Sequence, residues 1–369
     1  MSMMSLLLFV GGLLLLVGGA EVFIRGSVRL AAAFGVSPLV IGLTIVGFGT
    51  SAPELAVSIQ SGFAGQTDIA LGNVVGSNIL NVLFILGITA IILPLSVSQQ
   101  LIRLDVPILI GVSVLLLVFG LDGKLTPMEG GALVFGGIVY TVFLVFQSRK
   151  ENQEVQDEYA REFSPPTQWS PREGFLNALL ILGGLASLVL GSRWLVTSAI
   201  AFAQALGVSE LVIGLTIVAV GTSLPEIATS VIAGIRGEMD IAVGNIIGSS
   251  IFNILAVLGI SSMVVPGGIP ISPAALLFDI PIMVAVAVAC LPIFFTGNLI
   301  ARWEGLLFFG YYVAYTVYLV LKSTHHATLP IFNMAMTVFV IPITIITLLT
   351  VTWRSLKDRR KRDAHSNST

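Results

Sequence analysis

The stretch GLTIVGFGTSAPELAVSIQSGFAGQTDIALGNVVGSNILNVLFILGI, residues 42–88, returns 172 positions later as GLTIVAVGTSLPEIATSVIAGIRGEMDIAVGNIIGSSIFNILAVLGI, residues 214–260. Of these 47 aligned positions 27 are identical, more than a shared apolar composition produces. The same shift superposes residues 11–88 on 183–260 without a gap. Weaker echoes follow, Asp105-Val106-Pro107 against Asp279-Ile280-Pro281 and Glu129-Gly130 against Glu304-Gly305. One unit is written twice.

Each unit is built for lipid. The chain is 56% hydrophobic and only 10% charged, where a soluble domain carries about 25% charged residues. Its mean hydropathy is +0.99. A bilayer-spanning helix needs roughly 17–25 apolar residues. Such runs fall near 5–24, 38–62, 69–94, 104–121 and 127–147, and again near 174–200, 208–234, 241–265, 276–296 and 302–321. An extra run lies near 329–353. The expected fold is an all-α polytopic membrane protein, ten core helices in two five-helix repeats plus an eleventh C-terminal helix. Five spans per unit is odd, so the copies enter the membrane from opposite sides, as inverted repeats do. The expected division is 1–147 for the first repeat, 148–173 for a polar cytoplasmic linker, 174–321 for the second repeat, 329–353 for the extra helix and 354–369 for a basic tail.

The N-terminus lacks the basic region of a signal peptide and reads as a retained first helix. Lys and Arg set the expected orientation. With the N-terminus outside and eleven spans, Arg25, Arg29, Arg103, Arg149, Lys150, Arg161, Arg172, Arg236, Arg302 and the Arg354–Arg362 tail gather inside. Only Lys124 and Lys322 remain outside, and Arg193 falls within a helix. This predicts an integral protein of the cell (inner) membrane with a cytoplasmic C-terminus. The tail reads as an anchor to anionic lipid rather than a nucleic-acid patch. A net charge of −2 likewise suggests no nucleic-acid partner.

One cysteine, Cys290, excludes an intrachain disulfide and reads as a small apolar residue. His325, His326 and His365 lie in a loop and a tail, so no catalytic or metal-binding histidine cluster forms.

The chemistry sits in two Gly-Thr-Ser-x-Pro-Glu segments. Glu54 and its repeat partner Glu226 are carboxylates in apolar helices, a costly placement that asks for compensation. No Lys or Arg stands near either, so a bound cation is the natural partner. Thr50 and Ser51 share the helical face of Glu54, and Thr222 and Ser223 that of Glu226. Pro53 and Pro225 lack an N–H, which is expected to free carbonyls at Gly47–Gly49 and Ala219–Gly221. The following helices add Ser77 with Asn81 and Ser249 with Asn253, each pair one turn apart. Gly72-x-x-x-Gly76 and Gly244-x-x-x-Gly248 allow close helix approach. Asn73 and Asn245 are expected to cap or hydrogen-bond backbone near helix starts, and Asp68 and Asp240 to cap helices. Carboxylates, hydroxyls and carbonyls make an all-oxygen site suited to Ca²⁺ or Na⁺.

These motifs, extended through Gly72-Asn73-Val74-Val75-Gly76-Ser77-Asn78 and Gly244-Asn245-Ile246-Ile247-Gly248-Ser249-Ser250, resemble the sodium/calcium exchanger family of the calcium/cation antiporters, in a prokaryotic-type form. The resemblance covers residues 11–321. It implies exchange of Na⁺ for Ca²⁺ by alternating access, with no cofactor. It places Thr50, Glu54, Thr222 and Glu226 around Ca²⁺, and Ser51, Ser77, Ser223, Ser249 and the carbonyls of Gly47 and Ala219 in flanking Na⁺ sites. Asn81 and Asn253 would line the middle. The potassium-dependent branch has Asp where this chain has Asn253, which speaks against K⁺ co-transport.

The residues alone leave rivals. An H⁺/Ca²⁺ antiporter would use the same carboxylates, although protons need no hydroxyl ligands. A membrane Ca²⁺ sensor would bind without flux. A channel wants a continuous polar path. A hydrolase built on the Glu pair would lack a His, Cys or metal motif. The expectation is therefore a transporter and not an enzyme.

Overall fold

A computed structural model describes residues 3–34, 36–148, 171–205, 219–295, 297–324, 326–347 and 349–350. The first repeat comprises α1 (Met3–Phe34), α2 (Pro38–Phe63), α3 (Thr67–Ile92), α4 (Leu101–Asp122) and α5 (Pro127–Ser148). The second comprises α6 (Pro171–Ala205), α7 (Leu224–Ile235, preceded by the turn Ala219–Gly221), α8 (Met239–Val264), α9 (Ala275–Phe295) and α10 (Arg302–Ser323). The extra helix, α11, runs over Leu329–Thr347. Among the described residues ten helices are long and apolar enough to cross a membrane. The first part of the span expected at 208–234, the linker body 149–170 and the tail 354–369 lie outside the described residues.

Helix α1 continues well beyond the apolar run expected at 5–24. Glu21, Arg25 and Arg29 end the hydrocarbon-compatible stretch but are good helix formers, so they do not end the helix. Ser148 still belongs to α5 and Pro171 already opens α6, so helix reaches into both ends of the expected linker 148–173.

Four two-residue strands show the inversion directly. β1 (Leu95–Ser96) follows α3, and β3 (Ile269–Pro270) follows its repeat partner α8. β2 (Lys124–Leu125) and β4 (Leu299–Ile300) follow α4 and α9. Equivalent strands do not pair; β1 pairs with β4, and β2 with β3, both antiparallel. Each sheet therefore joins a loop after the third helix of one half to a loop after the fourth helix of the other. Parallel halves would have put β1 beside β3.

At the centre, α2, α3, α7 and α8 form the packed core, with α8 buried from Ile241 to Gly259. Glycines let α8 cross α2 closely. A Cβ added at Gly248 would lie 2.5 Å from the Leu43 carbonyl oxygen, and one at Gly47 2.8 Å from Ser249 N. Repeat mates α1 and α6 meet through Gly12 and Gly19 against Gly191 and Gly184. The turn from α2 to α3 reverses at Gly65, and that from α7 to α8 at Gly237, with φ of 75° and 84° that only glycine adopts without strain. Helix α11 lies outside this core; none of its described residues is buried. It touches α10 through the Tyr311 hydroxyl, which donates to Thr344 Oγ1 at 2.7 Å.

Candidate ion-binding site

Both Gly-Thr-Ser-x-Pro-Glu segments break their helices at the same point. Ser51 has φ −80° and ψ 5°, Ser223 φ −91° and ψ 10°, and a new helical segment begins directly after each. The cause is Pro53 and Pro225, which carry no N–H for the preceding turn and fit only the start of a helix. Glu54 and Glu226 thereby stand in the first turn of the new segments, where orphan backbone N–H groups favour negative charge. The Gly47 carbonyl is not left free as expected. It accepts the Ser51 N–H at 3.3 Å and the Ser249 hydroxyl, from the other half, at 3.1 Å. Proline deprives carbonyls within its own turn, and Gly47 lies beyond that reach. Ala219 opens the described turn before α7, and the residues preceding it are outside the described set.

The two halves interlock by exchange of hydrogen bonds. Ser223 Oγ donates to Glu54 Oε1 at 3.0 Å, and Ser51 Oγ donates to Glu226 Oε1 at 3.4 Å. Ser223 and Ser77 hydroxyls meet at 3.2 Å, as do those of Thr50 and Ser249. Thr50 Oγ1 donates to Asn245 Oδ1 at 3.1 Å, and Thr222 Oγ1 to Asn73 Oδ1 at 3.4 Å. Each of these asparagines then uses its Nδ2. Asn73 donates to the Glu54 carbonyl and to Ser58 Oγ, and Asn245 to the Glu226 carbonyl and to Ser230 Oγ.

Asn81 and Asn253 enter from α3 and α8. Asn81 Nδ2 donates to Ser250 Oγ at 3.4 Å, and Asn253 Nδ2 to Asn78 Oδ1 at 3.1 Å. Each asparagine opens a π-helical turn, Asn81–Leu86 and Asn253–Leu258. Such turns widen a helix locally and recur at functional sites.

The decisive feature is what remains unpaired. Both Glu54 and Glu226 are almost wholly buried, at 0% and 1% exposure. Glu54 Oε2, Glu226 Oε2, Asn81 Oδ1 and Asn253 Oδ1 are buried without a hydrogen-bond partner. All four are acceptors, and buried acceptors without donors are costly. Oxygen acceptors of this kind are what a hard cation takes as ligands. No three His, Cys, Asp or Glu side chains gather anywhere among the described residues, so the donors here are two carboxylates with hydroxyls and amides.

Hydrogen bonds thus bring Thr50, Ser51, Glu54 and Ser77 together with Thr222, Ser223, Glu226 and Ser249, with Gly47 at their edge, while Asn81 and Asn253 meet Ser250 and Asn78 in a second contact between α3 and α8. Asn73 and Asn245 do more than hold local backbone, since each bridges the two halves. Asn78 was visible only as part of a motif; its role emerges from the α3–α8 contact, where it also donates to the Ser250 carbonyl. Asp68 and Asp240 do not cap. They lie inside the first turns of α3 and α8, and the cap positions are Gln66 and Glu238.

Known proteins converge on the same reading. The chain is 42% identical over 283 residues to the putative antiporter CaxA of Alkalimonas amylolytica, covering 76% of this chain and 86% of that one. It is 35% identical over 349 residues to the sodium/calcium exchanger MaX1 of Methanosarcina acetivorans, covering 86% and 99%. The solved structure of the sodium-calcium exchanger NCX_Mj superposes with a TM-score of 0.72 at 30% identity, over 85% of this chain and 98% of that one. These relatives are exchangers and antiporters, not enzymes. The profile described as sodium/calcium exchanger protein matches residues 4–148 and 176–321, which are the two repeats, and the chain belongs to that family.

Proposed function

We propose that this protein exchanges Na⁺ for Ca²⁺ across the cell (inner) membrane by alternating access and exports Ca²⁺, as a cation antiporter whose coupling ion is Na⁺. The observation that carries it is the set of four buried, unpartnered oxygens on Glu54, Glu226, Asn81 and Asn253. Thr50, Glu54, Thr222 and Glu226 hold Ca²⁺. Ser51, Ser77, Ser223 and Ser249, with the Gly47 and Ala219 carbonyls, hold Na⁺ in flanking positions. Residues 1–147 and 174–321 form the two transport units, 148–173 joins them, and 329–353 stands outside the exchange machinery. The N-terminus lies outside and the basic tail 354–369 rests on the cytoplasmic leaflet.

Ion-path chemistry supports Na⁺ over H⁺ as the driver. Ser51 and Ser223 donate to the two carboxylates, the hydroxyls of Thr50, Ser77, Thr222 and Ser249 lie in the same hydrogen-bonded network, and a proton has no use for so many oxygens. The test is ⁴⁵Ca²⁺ uptake into proteoliposomes loaded with Na⁺, with K⁺, or with acid in Na⁺-free buffer. Uptake driven by the outward Na⁺ gradient and abolished in Glu54→Gln is the expected result. Uptake driven only by the proton gradient would reassign the coupling ion, and uptake unaffected by Glu54→Gln would sink the site.

A further inference from the structure

The Gly76-Ser77-Asn78 and Gly248-Ser249-Ser250 triplets of α3 and α8 differ only at their last repeat position, Asn78 against Ser250. Across the interface each of these two residues holds an asparagine of the other half. Asn78 Oδ1 accepts from Asn253 Nδ2 at 3.1 Å, and Ser250 Oγ accepts from Asn81 Nδ2 at 3.4 Å. All four side chains are buried, none more than 3% exposed.

An amide has a donor end and an acceptor end, and its neighbours decide which way it faces. Asn78 is fixed first. Its Nδ2 donates to the Ser250 carbonyl at 3.0 Å and to Met283 Sδ of α9 at 3.6 Å. A carbonyl and a thioether only accept, so the Asn78 oxygen must turn to Asn253. Asn253 answers with its own Nδ2, which leaves its Oδ1 facing away. On the other side, the single hydroxyl hydrogen of Ser250 goes to the Ile246 carbonyl at 2.9 Å. The Ser250 oxygen is left to accept, so Asn81 offers it Nδ2 and turns Oδ1 away. Both chains of bonds start at a backbone carbonyl and end at a buried oxygen that meets no donor. Flipping either terminal amide would set acceptor against acceptor and put an N–H where the oxygen stands.

The Ala52–Phe63 segment of α2, which carries Glu54, packs against the turn Asn253–Leu258, and α7, which carries Glu226, packs against Asn81–Leu86. Each asparagine thus opens a turn that lies against a carboxylate-bearing helix. We propose that Asn78 and Ser250 are positioning residues, setting the polarity of Asn253 and Asn81 so that two neutral oxygens and no N–H are offered to a cation. The choice of Na⁺ and Ca²⁺ as that cation rests on the transport reading above. Ser250 can turn its hydrogen from Ile246 to Asn81, an option Asn78 lacks. The hold on Asn253 is therefore the firmer one, and its bond is also the shorter.

Purified full-length protein titrated with NaCl or CaCl₂, against choline chloride as the ionic-strength control, tests this. Thermal unfolding gives the concentration of each salt at half-maximal stabilisation. Asn78→Ala frees Asn253 to turn and should raise that concentration at least about tenfold for one salt or both. The decisive comparison uses Asn253→Asp, whose carboxylate carries an oxygen on either side and has no wrong orientation. On that background Asn78→Ala should change neither concentration by more than about twofold. Ser250→Ala removes a single oxygen and should behave likewise at smaller size, with an effect beside Asn81 that vanishes in Asn81→Asp. Unchanged concentrations of both salts in Asn78→Ala and Ser250→Ala would overturn the proposal. Equal shifts on the Asn and Asp backgrounds would also overturn it, because the two residues would then act through packing alone. Wild type stabilised no better by NaCl or CaCl₂ than by choline chloride would overturn the acceptor site itself. Ion-specific stabilisation without gradient-driven ⁴⁵Ca²⁺ flux would count against the transport reading only, leaving the double-variant comparison to decide the orienting role.

Discussion

Replacing Gly248 with alanine perturbs the site without touching any of its oxygens. The added Cβ would stand 2.5 Å from the Leu43 carbonyl oxygen and 2.7 Å from Leu43 Cα, where ordinary contact begins at 3.4 Å. The obstacle is backbone, which cannot swing aside as a long side chain does, so α8 and α2 must part by about 0.9 Å. Overpacking of this kind costs about 1–3 kcal/mol. Its second consequence is chemical. Ser249, the next residue, donates to the Gly47 carbonyl at 3.1 Å and meets Thr50 Oγ1 at 3.2 Å. Separation by that amount takes both beyond hydrogen-bonding range, at about 1 kcal/mol each. The expected outcome is a rise of at least about tenfold in the KM for Ca²⁺, equivalent to ~1.4 kcal/mol, together with a lower Tm. Gradient-driven ⁴⁵Ca²⁺ uptake and thermal unfolding followed by size-exclusion chromatography measure the two. Gly111→Ala is the control, because a Cβ there meets nothing within 4 Å. Wild-type KM and Tm in Gly248→Ala would refute the argument that backbone contact between α2 and α8 holds the site's geometry.

Other outcomes follow from the same contacts. Ser223→Ala should raise the Ca²⁺ KM several-fold more than Ser51→Ala, since Ser223 makes the shorter bond to its carboxylate, 3.0 Å against 3.4 Å; paired uptake curves give the comparison. Tyr140→Phe removes the hydroxyl that donates to buried Asp105 at 2.9 Å and should cost about 1–3 kcal/mol in unfolding with little change in KM. Tyr315→Phe, which strips the matching bond to the less buried Asp279, should cost less in the same thermal assay. Deleting residues 324–369 should leave KM within about twofold of wild type by flux, because α11 buries none of its described residues in the core.

The repeat made much of this legible in advance. Two carboxylates in apolar helices, each preceded by Thr-Ser and a proline, name the site because every residue type has one physical use there. The helix break was equally readable, since proline acts through its own missing N–H. The interlock was not. That Ser223 serves Glu54, and Ser51 serves Glu226, depends on how the inverted halves dock, and local sequence cannot say which half supplies a donor. The cross-half bonds of Asn73 to Thr222 and of Asn245 to Thr50 are hidden from the sequence for the same reason. The π-helical turns opening at Asn81 and Asn253 were invisible, because no residue type encodes an i→i+5 turn. The apolar run 5–24 does not give the length of α1, Met3–Phe34, because charge marks where lipid ends, not where a helix does.

The interlock also bears on why such a site would exchange ions rather than leak them. On the proposed reading, moving the site from one face to the other passes through a state sealed from water. Sealed and empty, it would hold one unpaired oxygen on each of two carboxylates and two unpaired amide oxygens, and low-dielectric surroundings make that state the costly one. One Ca²⁺ removes the penalty, and so do monovalent cations in sufficient number, so either load crosses and the empty carrier does not. Two protons would cancel the charge as well, which is why neutralisation alone does not identify the driver. The hydroxyls do. Thr50, Ser51, Ser77, Ser223 and Ser249 are buried around carboxylates that need at most one donor each once protonated, and Thr222 joins them at the edge. A hard cation calls on six or more oxygens. On the proposed reading these hydroxyls, which already hydrogen-bond the two halves together, also serve as ligands to Na⁺, an ion that can take them while yielding to Ca²⁺.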